Sequence, residues 1–316
     1  MKWGSLIFLI LFLGSCQKES IELNLIEQDS QTNEGIYDLV FVDENTAYYC
    51  GGSLWNAGVV GKSTDGGQTW EVVLEADNIL FAVAFKNENE GVALGFSGRV
   101  WRTKNGGLTW NLTESAPNYP TFSDAQFVTE NKLMVSAGFN YYSGGFARYL
   151  FNGQSFGDSL INQDMQTLHF FDEQEGIMAG YGALFRTVDG GRQWTPNSVK
   201  GDYFKDLDFN DRGEGLLIGY QGKVFNTSDK GLNWEKNAKK SSFFSTKGNL
   251  ESTAISDAKA FIAGQNGNLN YSNNFMSGNW VRVETPYKND FLKVLLTSPS
   301  EGYLAGSEGL LLKFFY

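Results

Sequence analysis

The sequence predicts an all-β fold: a seven-bladed β-propeller of four-stranded blades, closed by an N-terminal strand that completes the last blade. Three observations carry the expectation. A turn motif recurs at a fixed spacing, a glycine-terminated strand recurs independently at a similar spacing, and the last unit is one strand short while a spare strand stands at the chain's start.

The turn motif is Ser63-Thr64-Asp65-Gly66-Gly67-Gln68-Thr69-Trp70. Thr103–Trp110, with Asn105 in place of Asp, Thr187–Trp194 and Thr227–Trp234 repeat it, and Trp70 to Trp110 and Trp194 to Trp234 are each 40 residues apart. A period near forty with strand-like content signals a propeller or an array. Asp or Asn followed by Gly between two β-runs favours a hairpin, because glycine enters positive φ without steric cost. The Asp or Asn oxygen can accept backbone N–H groups within the turn, the Ser/Thr hydroxyl can accept another, and the Trp offers an apolar face to a neighbour. The expected roles are therefore structural: Ser63, Asp65, Gly67 and Trp70; Asn105, Gly107 and Trp110; Asp189, Gly191 and Trp194; Asp229, Gly231 and Trp234. Copies on separate blades would not combine into a metal or catalytic site, so no metal is expected.

The second repeat is a polar turn leading into an apolar strand that ends in glycine, as in Glu90-Gly91-Val92-Ala93-Leu94-Gly95 and Glu175-Gly176-Ile177-Met178-Ala179-Gly180. Closing glycines at 51, 95, 138, 180, 219, 264 and 306 mark the seven expected units. Each reads as four strands, the radial repetition of a propeller. The last unit supplies three, and Ile21–Leu25, alternating apolar and polar, is expected to add the fourth and remove an exposed edge.

At the start, Lys2 precedes the apolar run 6–13 and then Leu13-Gly14-Ser15-Cys16. A short basic region, a short apolar region and small residues before the cut make a secretory signal, too short to span a bilayer. The tetrapeptide resembles a bacterial lipobox, whose Cys is lipidated and becomes the mature N-terminus. The expected organisation is a lipoprotein signal peptide over 1–15, a lipidated tether with the closing strand over 16–33, and the propeller over 34–316. Lipid on Cys16 would tie the protein to a membrane of the bacterial cell envelope, facing the periplasm or the cell surface, without a spanning helix.

The formal charge of −11, or −12 without Lys2, and a pI near 4.7 leave no electrostatic footprint for nucleic acid. With Cys16 acylated, only Cys50 remains, in a strand-like segment where a buried inert thiol is expected.

Gly180-Tyr181-Gly182-Ala183-Leu184-Phe185-Arg186-Thr187-Val188-Asp189-Gly190-Gly191-Arg192-Gln193-Trp194 resembles the photosystem II stability/assembly factor family of Asp-box (BNR-like) propellers. The resemblance extends over about 35–316 and implies a seven-bladed fold acting as an assembly or binding factor, not an enzyme. It carries over the fold and the scaffold role and no functional residue. Sialidases also resemble this chain in the boxes, but their Arg-Ile-Pro motif is missing, and Phe185-Arg186-Thr187 belongs to the repeat.

Function is expected on the face opposite the turn motifs, since loops carry function on a rigid frame. Trp55, Tyr141, Tyr142, Tyr119, Tyr203 and Tyr287 are the candidate contacts there, an aromatic set suited to a protein partner or to sugar stacking. The alternative is a glycoside-processing enzyme, which needs two carboxylates flanking the bond; Asp124, Asp206 and Asp290 stand near inner-strand starts. His169 is the single His, which disfavours a His-based metal or triad site. Neither a phosphate loop nor a dinucleotide fingerprint occurs, and no cofactor or catalytic residue is expected. The reading is a non-catalytic, lipid-anchored binding or assembly scaffold for a protein or glycan.

Overall fold

A computed structural model describes residues 21–115, 120–138, 145–150, 163–237 and 249–316. The chain opens with β1 (Asn24–Glu27), followed by an antiparallel sheet of β2 (Gly35–Phe41), β3 (Ala47–Ser53), β4 (Ala57–Ser63) and β5 (Glu71–Ala76). A second sheet holds β6 (Leu80–Phe85), β7 (Gly91–Gly95), β8 (Arg99–Thr103) and β9 (Asn111–Ser115). The third has β10 (Thr121–Thr129), β11 (Lys132–Gly138) and β12 (Gly145–Leu150). Next comes a six-stranded sheet of β13 (Met165–Phe170), β14 (Gly176–Thr187), β15 (Thr195–Phe209), β16 (Gly215–Gly219), β17 (Val224–Thr227) and β18 (Glu235–Lys236). β19 (Leu250–Ser256), β20 (Lys259–Gly264), β21 (Asn268–Ser272) and β22 (Val281–Arg282) form the fifth. The sixth combines β23 (Phe291–Ser298), β24 (Glu301–Gly306) and β25 (Leu311–Phe315) with β1 on its outer edge.

The inner strands β2, β6, β10, β13, β15, β19 and β23 contact one another in that order, and β23 meets β2 again. The molecule is a closed all-β propeller. The expected count of seven four-stranded blades is corrected to five: among the described residues five sheets have four or more strands, and β10–β12 has three. The physical reason is β15. It runs 15 residues without a break, its first half paired to β14 and its second half to β16, so two expected units join in one sheet. The edge strand is also displaced from Ile21–Leu25: β1 pairs Asn24 with Phe315 and Glu27 with Leu312.

The core lies between neighbouring sheets. Val92, Leu94 and Val100 pack on Phe122, Leu133 and Val135, and Phe261 and Leu269 pack on Phe291, Leu304 and Phe314. The glycines that open the second strands have a packing cause. A Cβ on Gly91, Gly176 or Gly215 would meet the ring of Phe85, Phe170 or Phe209, which ends the preceding inner strand. Each of those rings meets the Trp of a turn motif edge-on: Phe85–Trp110 at 6.0 Å, Phe170–Trp194 at 6.0 Å, Phe209–Trp234 at 5.9 Å. Such pairs stabilise by about 0.5–1.5 kcal/mol beyond their burial.

The four turns share one hydrogen-bond pattern. In the first, the Ser63 hydroxyl donates to Asp65 Oδ1 (2.8 Å) and accepts from Gly67 N (2.9 Å), while Asp65 Oδ1 accepts from Gln68 N and Thr69 N (both 2.9 Å). Thr103 and Asn105, Thr187 and Asp189, and Thr227 and Asp229 repeat it, with Gly107, Gly191 and Gly231 donating to the hydroxyl. Trp70 Nε1 and Trp234 Nε1 return to the carbonyls of Gly67 and Gly231. Hydrogen bonds from Thr69 hold the Asp65 carboxyl down at about 2. Neighbouring sheets lock onto the turns: Tyr48 Oη donates to Gly106 O and Tyr303 Oη to Gly66 O, both at 2.7 Å.

Candidate functional site

Every inner strand carries a register shift where its pairing with the next strand begins: Ile36/Asp38, Leu80/Ala82, Phe122/Asp124, Met165/Thr167, Phe204/Asp206, Leu250/Ser252 and Phe291/Lys293. A bulge leaves one residue unpaired and re-aims its neighbours. The closing glycines answer these bulges, because a Cβ on Gly51, Gly95, Gly180, Gly264 or Gly306 would run into the backbone carbonyl of the bulged strand. Gly138 and Gly219 instead face the side chains of Asp164 and Asp202.

The bulges build the mouth of the axial channel. The unpaired residue at each shift (Tyr37, Phe81, Ser123, Gln166, Lys205, Glu251, Leu292) and, at six of the seven, the residue after it (Asp38, Asp124, Thr167, Asp206, Ser252, Lys293) line one cavity of about 620 Å³. Its floor is stitched strand to strand. Asp38 Oδ2 accepts Val83 N (3.0 Å), Asp124 Oδ2 accepts Leu168 N (2.9 Å) and Asp206 Oδ2 accepts Thr253 N (2.9 Å). Asp124 and Asp206 each also accept the N–H of the following residue, Ala125 and Leu207. One layer deeper, Asp208 accepts Ile255 N (2.7 Å) and Phe209 N (2.8 Å). These carboxylates fasten neighbouring blades where the ladder has none of its own bonds.

Lys293 Nζ reaches Asp38 Oδ1 at 2.9 Å. Burial works against its charge, yet the carboxylates of Asp38, Asp206 and Asp124 hold its pKa well above the ordinary lysine value. Burial pushes the carboxyls the other way: Asp124 up to about 6, Asp208 up to about 7, and Asp206 upward, with Lys293 partly offsetting the rise.

The rim is aromatic and apolar. Leu54, Phe96, Tyr203 and Tyr220 join Tyr37 and Phe81 around the opening. Tyr37 and Phe81 meet edge-on at 5.2 Å, and Tyr203 stands between Tyr181 (5.8 Å) and Tyr220 (6.4 Å). Trp55 is 71% exposed and leans on Phe96 at 4.5 Å; Asn78 Oδ1 accepts its N–H at 2.9 Å and holds its positive-φ turn. Lys205 pairs with Glu251 at 3.2 Å.

Of the candidates read from the sequence, Tyr203 lines the cavity and Trp55 flanks it, whereas Tyr287 donates to Glu27 Oε2 (3.1 Å) and packs against the buried cluster around Phe291 and Phe314. Cys16, Tyr119, Tyr141 and Tyr142 lie outside the described residues. Asp124 and Asp206 share the cavity, while Asp290 is outside its lining and accepts Asn266 N. His169 packs between Phe171 and Phe209, and burial lowers it to about 4. Cys50 is buried and burial raises its thiol well above the ordinary value. Lys293, Asp38, Glu251 and Tyr220 were not singled out from the sequence. The signal existed in the spacing, since the channel positions recur in step with the closing glycines, but a bulge is not visible in apolar alternation. Among the described residues no group of three or more His, Cys, Asp or Glu is placed to hold a metal, and no helix is long and apolar enough to cross a membrane.

Fold and cavity together define a β-propeller whose axial channel opens on the loop face. No protein-family model matches the chain, and no curated protein matches it in sequence. Among solved structures it is similar to YCF48 bound to D1 peptide, with a TM-score of 0.72, 20% identity, and 93% of this chain and 95% of that one covered. YCF48 from Cyanidioschyzon merolae gives a TM-score of 0.69 at 17% identity, covering 92% of this chain and 98% of that one. The WD40 β-propeller domain of Doa1 gives 0.64 at 12%, covering 91% and 96%. At these identities the likeness is one of fold.

Proposed function

We propose that the protein is a non-catalytic scaffold, lipid-anchored through Cys16 in a bacterial cell envelope, that captures a segment of a protein partner over the cavity of its loop face. The observation that carries the reading is the cavity of about 620 Å³, a stitched polar floor ringed by Tyr37, Phe81, Phe96, Tyr203 and Tyr220. Rigid aromatics on a fixed frame bury large area at low entropic cost, the chemistry of binding hot spots. The similar YCF48 structure was solved with a peptide bound, which supports a peptide as the occupant. Against glycoside chemistry, Asp124 and Asp206 each use both carboxylate oxygens on backbone N–H groups.

The test is capture of partners from the native envelope by the wild type and by a Trp55→Ala/Tyr203→Ala double variant. The expected result is a protein recovered by the wild type, lost from the variant, with the melting temperature almost unchanged. Equal recovery by both moves the site elsewhere. Hydrolysis of a glycan that disappears in Asp124→Asn and Asp206→Asn would replace the scaffold with an enzyme.

A further inference from the structure

The N-terminal strand leaves the propeller on a definite face. Asn24 pairs with Phe315 at the end of β25, and the next residue, Tyr316, donates its N–H to Ser300 O in the β23–β24 turn (3.1 Å). Turns of this kind adjoin the Asp-containing turns: Gly66 N donates to Asn45 O in the β2–β3 turn, and Gly106 N to Asn89 O in the β6–β7 turn. At its other end the segment passes to the loop face, where Gln28 N donates to Leu311 O and the Ser30 hydroxyl to Gly309 O in the β24–β25 turn. The chain therefore enters β1 from the Asp-turn face, and Ile21 and Leu23 already pack against the core cluster that Tyr271 and Tyr316 also cover.

Cys16 stands five residues before Ile21, so that tether reaches at most about 18 Å. A five-residue strand is about 17 Å long, so the tether cannot climb a blade's flank and still deliver an acyl chain to a bilayer. The same face carries exposed apolar side chains at its turn tips: Leu108 is 78% exposed, Val188 62% and Leu232 54%. Each belongs to a Ser/Thr-x-Asp/Asn turn, whose hydrogen bonds engage the backbone of Leu108 and Leu232 but none of the three side chains.

We infer that the Asp-turn face is a membrane-contact surface: it lies on the bilayer with Leu108, Val188 and Leu232 touching lipid, and the aromatic cavity opens away from the membrane. The inference rests on the lipid anchor proposed above. A formal charge of −11 gives no attraction to anionic headgroups, so the surface it fits is zwitterionic, joined through apolar contact beside the acyl anchor. The partner then meets the cavity from the aqueous side, as an extramembrane segment.

The experiment uses the full-length acylated protein on phosphatidylcholine vesicles, with one fluorophore on Leu108→Cys, Leu232→Cys or, on the cavity rim, Tyr181→Cys. In the acylated protein Cys16 carries lipid, and Cys50 is buried, so each variant then carries one reactive thiol. Nitroxide-labelled lipid is expected to quench the probes at 108 and 232 severalfold more than the probe at 181. Quenching strongest at 181, or none at any position while mass spectrometry finds Cys16 acylated, overturns the orientation and leaves the anchor standing. An unmodified Cys16 overturns both.

Discussion

Thr187 shows how much one hydroxyl decides in this chain. It is buried, donates to Asp189 Oδ1 and accepts the buried N–H of Gly191, both at 2.9 Å. Thr187→Val keeps the shape and strands that N–H, so the expected cost is about 1–3 kcal/mol, the desolvation penalty of an unpaired buried donor. Chemical denaturation of the variant beside Thr187→Ser, which keeps the hydroxyl, checks it. Asp208 makes the opposite kind of demand. Burial raises its carboxyl to about 7 from a usual value near 4, so the folded state holds a proton that the unfolded chain releases. That stabilisation is fully present below about pH 4 and is lost as pH rises through about 7. Asp208→Asn cannot titrate, so its stability relative to wild type is expected to rise by about 2–3 kcal/mol between pH 5 and 8, at roughly 1.4 kcal/mol per unit. Denaturant melts at the two values decide it, and a difference that does not change with pH removes the buried proton.

At the scale of elements, β1 and the bulges matter most. β1 covers the edge of β25 and brings Leu25 against the cluster containing Phe314. Deleting residues 21–28 is expected to lower the melting temperature by more than about 5 °C and to expose an edge that pairs with other chains. Thermal melts with light scattering would show both; an unchanged monomer with an unchanged melt would mean the ring closes without β1. The bulges explain why the site was only half legible. Glycines 51, 95, 180, 264 and 306 stood out in the sequence, and their cause, a carbonyl pushed toward them from a bulged inner strand, appeared only in the fold. Once the bulges are placed, Asp38, Asp124, Asp206 and Lys293 fall on one ring although they are far apart in the chain.

For the whole molecule, two faces are set apart by the chain's own route. The Asp-turn face receives the N-terminal segment, and the opposite mouth holds the aromatic rim. If the proposed anchor and partner both hold, the protein is tethered at one face and engages its partner at the other. Turn motifs, glycine spacing and the spare first strand were readable because they are local: an Asx turn, a positive φ and a two-residue alternation are satisfied within a few neighbours. By itself the sequence determined that the chain is all-β, repetitive and a propeller. The tertiary structure alone decided the rest. It ran β15 unbroken through two expected units, giving five sheets of four or more strands in place of seven blades. It tied Tyr287 to Glu27, and it turned Asp124 and Asp206 into fasteners between blades. Pairing partners and the direction of a side chain at a bulge depend on residues some forty positions away, and no local pattern records which backbone N–H will face a given carboxylate.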